Sequence, residues 1–190
     1  MAGEKYVVAA TSNSVHIAVR NILNPSGYIF LEHCSDPVSL LRLVRTINPD
    51  FIVVDSGMQL SEARTTLETL DEEMLCAGIL LGEYSDSIVL SIIESSKTLS
   101  FCPKPLNRDM LLHTVNMAVM SYRRLLELND RLKKMTENYE GRKQVDRAKA
   151  ILMEQGLSEK DAYEMIRKRS MDERTTMRSI ADSIIYLSKK

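Results

Sequence analysis

Two groups of residues in this 190-residue chain have the types and spacing for chemistry. The first is a carboxylate and an ammonium. Asp55 ends the apolar run Phe51 to Asp55 (FIVVD), and Lys104 stands in the segment Phe101 to Pro105 (FCPKP). Each follows a strand-like stretch, and the carboxyl ends of strands are where a doubly wound sheet places its ligand site. There the two side chains can pair with each other or hold a small molecule. The second group is basic: Arg167, Lys168, Arg169, Arg174 and Arg178 put five cations within twelve residues, a density that neutralises phosphates and gives salt-dependent binding. Lys149 and Tyr163 can add a hydrogen bond and a stacking surface for an unpaired base. The plain alternatives are a solvated face tied to Asp161, Asp172 and Glu173 for the arginines, and core packing for Tyr163. Met153, Met165 and Met171 are expected in the core, as adaptable apolar filler.

Much else is excluded. No nucleophile–base pair, Gly-rich phosphate loop or metal cluster is visible, so no catalytic residue and no metal site is expected. Cys34, Cys76 and Cys102 are odd in number and lie in or beside apolar stretches, which reads as buried thiols and not a disulfide framework. No apolar run approaches the roughly 20 residues that cross a bilayer, and the start MAGEKYVV has no signal-peptide architecture. A cytoplasmic protein with no membrane partner is expected.

Charge divides the chain. Residues 1 to 106 carry 7 Lys and Arg against 13 Asp and Glu, whereas residues 107 to 190 carry 18 against 13. An acidic half joined to a basic half is the asymmetry of a regulatory module attached to an arm that meets a polyanion.

The elements that must position these groups follow from pattern. Strands are predicted at Lys5 to Ala10, Tyr28 to His33, Phe51 to Asp55, Ala77 to Leu81 and Thr98 to Cys102, separated by stretches with apolar residues three and four apart, as in a parallel sheet covered by helices. Asp36 is placed to cap the second helix, with Pro37 at its first position. Asn107 to Tyr139 contains no Gly or Pro and reads as one long helix. Leu125, Leu128, Leu132, Met135 and Tyr139 alternate by three and four along its later part, the seam of a coiled coil that pairs with a second copy. Beyond it, Gly156 reads as a helix stop and Ser158 to Asp161 as a capping-box-like start. Tyr163, Ile166, Met177, Ile180, Ile184 and Leu187 supply apolar faces to the helices that follow.

With Asp55 after the third strand, Lys104 after the fifth and Pro105 behind it, residues 5 to about 120 resemble a response-regulator receiver domain. The resemblance implies that Asp55 is the phosphoacceptor position, that Lys104 contacts the phosphoryl group and that a proline, commonly cis, follows. Two carboxylates that hold Mg²⁺ in such domains are replaced here by Ala10 and Thr11, and the hydroxyl after the fourth strand by Gly82; Phe101 keeps the aromatic position. Mg²⁺ wants several hard oxygen ligands, so a pseudo-receiver is expected, with Asp55 and Lys104 as a structural ion pair, no cofactor, and Mg²⁺ binding doubtful. Glu83 lies near the same rim as a possible substitute carboxylate.

The tail resembles the ANTAR domain, the RNA-binding module of antitermination regulators, through Ala148, Lys149, Leu152, Met153, Gly156, Leu157, Ser158, Ala162, Tyr163, Ile166, Arg167, Met171, Arg174, Ile180 and Ala181, with Ser170 where Ala is usual. The expected architecture is an α/β doubly wound, flavodoxin-like receiver at 1–120, a long coiled-coil helix at 107–140 and an all-α three-helix bundle at 141–190. The resemblance implies a homodimeric RNA-binding antiterminator acting on hairpins in nascent leader transcripts. Lys149, Met153, Tyr163, Arg167, Lys168, Arg169, Arg174 and Arg178 would contact RNA, and a sensor kinase or other regulatory protein would act on the receiver. The alternatives are a DNA-binding regulator and a protein-interaction adaptor.

Overall fold

The computed structural model describes residues 3–188. Two compact units emerge, Met1–Leu126 and Glu127–Lys190. In the first, five parallel strands run β1 (Lys5–Ala9), β2 (Ile29–Cys34), β3 (Phe51–Asp55), β4 (Ala77–Gly82) and β5 (Leu99–Pro103), in the spatial order β2-β1-β3-β4-β5. Four helices alternate with them: α1 (Asn13–Leu23), α2 (Pro37–Ile47), α3 (Leu60–Glu72) and α4 (Ser87–Ser95). A fifth, α5 (Arg108–Glu154), follows β5. This is the doubly wound arrangement that the pattern predicts, with strand ends shifted by a residue or so.

The strand side chains explain why helices cover both faces. Val7, Ala9, Ile52, Val54 and Leu80 face Leu40, Val44, Leu67 and Val89 of α2, α3 and α4. The alternate residues Tyr6, Val8, Phe51, Val53, Ile79 and Leu81 face Val19 and Leu23 of α1 and Leu111 and Val115 of α5. Near-continuous apolar strands buried on both sides are the signature of a parallel sheet. The Asp36 cap is in place, its carboxylate accepting from the Ser39 backbone N–H at 2.8 Å.

Helix α5 is the main departure from expectation, since it continues past Tyr139 to Glu154. Gly141 lowers helix propensity by about 1 kcal/mol relative to alanine but does not force an end. The stop comes at Gly156, whose φ of 101° is the left-handed C-terminal cap that glycine adopts without strain. Then come α6 (Glu159–Asp172) and α7 (Met177–Leu187), capped by the hydroxyls of Ser158 and Thr176, which accept from the N–H groups of Asp161 and Ser179, each at 3.2 Å. Ala148 and Leu152 of α5, Ala162 and Ile166 of α6, and Ile180, Ala181 and Ile184 of α7 form the core of this unit. Alanines at facing positions let the helices approach closely.

Two apolar assignments are corrected. Tyr163 and Leu187 lie outside the core, 43% and 63% exposed, because Ala162 and Ala181 rotate the buried stripes of their helices away from them. Met153, Met165 and Met171 are likewise on the surface.

Candidate functional site

The first candidate lies at the strand ends of the receiver-like unit. Strand β3 carries Asp55 to its carboxyl end, where it is 2% exposed. Its Oδ1 meets the Lys104 ammonium in an ion pair, and no aligned hydrogen-bond donor reaches that oxygen, so charge holds the pair. The Lys104 backbone N–H donates to the Gly82 carbonyl at 2.8 Å, which fixes the base of the lysine, and Lys104–Pro105 is cis. On the other side the loop after β3 closes down: a Cβ on Gly57 would come within 2.7 Å of Asp55 Oδ2, a close approach that glycine permits.

The residues around this carboxylate do not fit Mg²⁺. Ala10 is fully buried, and the Thr11 hydroxyl donates to the Gly57 carbonyl at 3.1 Å. At Gly82 an added Cβ would meet Val89 Cγ2 at 3.0 Å, so Val89 of α4 fills the space a hydroxyl side chain there would need. Glu83 is exposed and accepts from Ser85 Oγ at 3.3 Å; it does not turn inward. Phe101 meets the exposed Tyr84 edge to face, ring centroids 4.8 Å apart. Among the described residues no group of three His, Cys, Asp or Glu is poised for a metal.

Two histidines that look scattered in sequence are neighbours here. His16 and His33 stack with ring centroids 4.3 Å apart, and His33 Nε2 approaches the Ala10 carbonyl at 3.3 Å. Burial, then the neighbouring His33 and Arg20, holds His16 below the ordinary imidazole range. Nothing in the spacing of His16 and His33 betrays this contact, which depends on α1 packing beside β2.

The second candidate is a cavity of about 780 Å³ within the helical unit. Asn138, Arg142 and Lys149 reach it from α5, Tyr163 from α6, and Thr176 and Arg178 from the start of α7. Two of its cations are paired with carboxylates. Lys149 Nζ lies 3.0 Å from both Asp146 and Glu159, and the paired carboxylates raise its pKa above the usual lysine value. Arg178 meets Glu140 at 3.4 Å and Asp182 at 4.0 Å.

Of the predicted RNA contacts, the structure brings Lys149, Tyr163 and Arg178 together on this wall. Among the described residues the wall does not include Met153, Arg167, Lys168, Arg169 or Arg174. Arg167 pairs with Glu164 at 3.5 Å and Arg169 with Glu173 at 3.0 Å. Lys168 and Arg174 are exposed, and Arg174 holds a left-handed φ of 50° at a turn position where glycine or asparagine is the easier residue. Asn138 and Arg142 escape the sequence reading because they fall where the helix is expected to end. The available signal is their spacing: 138, 142, 145 and 149 share one face once α5 runs through Gly141.

The seam residues are not part of the cavity wall. Leu125 is half-buried, whereas Leu128, Leu132, Met135 and Tyr139 are 55%, 62%, 68% and 70% exposed.

Comparison with known proteins agrees with both halves. The ANTAR domain family matches residues 133–185. The receiver domain of an HD domain-containing protein from Pseudomonas fluorescens Pf-5 superposes with a TM-score of 0.58 at 15% identity, over 67% of this chain and 94% of that one. The chemotaxis response regulator CheY4 of Vibrio cholerae gives 0.52 at 17% identity, over 61% and 98%. The comparisons thus join a receiver fold, seen in the N-terminal unit, to an ANTAR domain match over residues 133–185. Among particular proteins the chain is similar to the transcriptional regulatory protein PdtaR of Mycobacterium tuberculosis, 22% identical over 182 residues that span 95% of this chain and 89% of that protein. No helix among the described residues is long and apolar enough to cross a membrane.

Proposed function

We propose that this chain is a cytoplasmic, non-enzymatic, dimeric RNA-binding antiterminator that acts on hairpins in nascent leader transcripts. The observation that carries the reading is the cavity of the ANTAR unit, where Lys149, Arg142 and Arg178 surround a half-exposed Tyr163. Cations beside an accessible aromatic ring suit a splayed loop base and its flanking phosphates, the parts of RNA that proteins read with sequence preference. The exposed apolar seam from Leu128 to Tyr139 supports pairing of two chains as a coiled coil. Two tails held together turn two weak loop contacts into one strong event through effective concentration.

The receiver-like unit then works without orthodox phosphorylation. Asp55 is already neutralised by Lys104, and the carboxylates that would carry Mg²⁺ are absent, so a phosphodianion approaching Asp55 lacks the charge compensation such transfer needs. Control comes from a sensor or other regulatory protein, a ligand, or the dimer equilibrium.

The test is a titration of the full chain with a two-hairpin RNA, the same RNA with scrambled loops, and duplex DNA of matched charge, with mass measured in the same buffer. Loop-dependent binding at two chains per RNA is expected. Equal affinity for all three would reduce the tail to a generic polyanion surface, and tighter binding to duplex would favour a DNA-binding regulator. Leu132→Asp, which puts a charge at an exposed seam position, is expected to yield monomer; an unchanged mass would remove the seam.

A further inference from the structure

One cation that the sequence marks for RNA contact is not free to take a phosphate. Lys149 is only 18% exposed along its side chain, and its ammonium is shared by Asp146 and Glu159 at 3.0 Å each. These carboxylates are 69% and 70% exposed, so both remain on view to an incoming ligand. The three groups together carry one net negative charge. Glu137 also lines the cavity, and Glu140 stands against Arg178. A site built only to collect phosphates would leave out these acids, since each repels the backbone of every nucleic acid alike.

Resting on the RNA reading above, we infer that Asp146 and Glu159 are specificity-determining residues, which bar the Lys149 side of the cavity to phosphate and open it to the N–H edge of one unstacked base. An ionised carboxylate offers about four acceptor sites, and Lys149 occupies one direction on each. The remaining lone pairs accept from exocyclic amino or ring N–H groups. A base in a stem has those groups engaged in pairing, whereas a loop base has them free. Tyr163, on the same wall, supplies the stacking face. Arg142 and Arg178 take the neighbouring phosphates. Repulsion of the wrong ligand thereby adds to attraction of the right one, which is how a charged interface gains discrimination.

The test compares the full chain with Asp146→Asn, Glu159→Gln and the double substitution against the two-hairpin RNA, its scrambled-loop version and duplex DNA. Each substitution keeps shape and removes charge. Binding to scrambled RNA and duplex is expected to tighten about fivefold in the double variant, the scale of freeing a surface cation from its partner, while the loop-bearing RNA changes less than twofold. The ratio between loop and scrambled RNA therefore falls. A uniform gain for all three ligands, or no gain for any, would overturn the inference. The wild-type titration judges the RNA reading separately: without loop preference there is no specificity for these acids to determine, and both fail. If the double variant loses helicity, Glu159→Gln alone decides on the same ratio.

Discussion

The strand ends of the receiver-like unit hold a lysine bound to one carboxylate and the cavity of the ANTAR unit a lysine bound to two, and the sites differ in what surrounds these groups. Asp55 is 2% exposed and closed in by Gly57 and Lys104. Around Lys149 the carboxylates are the exposed partners and the lysine is the sheltered one. A buried carboxylate with its counter-ion is committed to the fold, because removing either partner leaves a desolvated charge. An open pair exchanges readily with solvent or ligand and contributes little to stability. The same residue types thus serve the fold in one place and stand open to a ligand in the other.

That contrast can be broken by substitution, starting with the receiver-like unit. Asp71 is the most heavily used carboxylate there: its Oδ1 accepts from Ser96 Oγ, Lys97 N, Thr98 N and Thr98 Oγ1 at 2.5 to 2.8 Å. Asp71→Ala leaves these donors unpaired, and a loss of about 3 kcal/mol is expected in denaturant unfolding of this unit. Burial pushes the Asp71 carboxyl up, but the donors outweigh it and hold it below the ordinary carboxylate range. Its stabilisation is therefore complete above the unfolded value near 4 and disappears as pH falls through the lower folded value. Acid unfolding of wild type and Asp71→Asn should differ accordingly; identical acid profiles would show that Asp71 is not the group that titrates.

Lys104→Ala strands Asp55 without its counter-ion. Because Lys104 is partly exposed, the expected loss is about 1–3 kcal/mol rather than the full value for a buried pair, with RNA affinity unchanged. Unaltered stability would mean that Asp55 does not depend on the lysine.

Lys149→Ala should do the reverse. Two unpaired carboxylates would then face the RNA, and affinity should drop about tenfold, equivalent to roughly 1.4 kcal/mol, with the thermal unfolding of the helical unit shifted little. A large loss of helicity would reassign Lys149 to structure. Arg167→Ala is the smallest expected change. Arg167 is exposed, off the cavity wall and paired with Glu164, so RNA affinity should weaken only a few-fold and the salt dependence should flatten by about one phosphate contact.

These effects also mark how far the sequence could be read. The sheet was legible because β3 and β4, FIVVD and AGILLG, are apolar but for the terminal Asp55, and the cap residues Asp36 and Ser158 act locally. Asp55 and Lys104 were legible because a strand end leaves little choice of place. The cavity wall was not, since Asn138 and Arg142 lie on a helix whose length depends on α6 and α7 packing against it beyond Gly141. The surface position of Met153 and Met165 was hidden for a related reason. Alanine and methionine both fit an apolar stripe by pattern, and only the close packing of Ala148, Ala162 and Ala181 decides which is buried. The stacked His16 and His33 and the saturated Asp71 depend on contacts between elements distant in sequence, which no local pattern encodes.

The most direct measurement of the division between the two regions is intact mass and hairpin-RNA affinity of the full chain, before and after incubation with a small phosphodonor and Mg²⁺, beside Asp55→Asn. The account predicts no phosphoryl adduct and the same loop-dependent affinity in every sample. A stoichiometric adduct that Asp55→Asn abolishes, with RNA affinity rising alongside it, would contradict it.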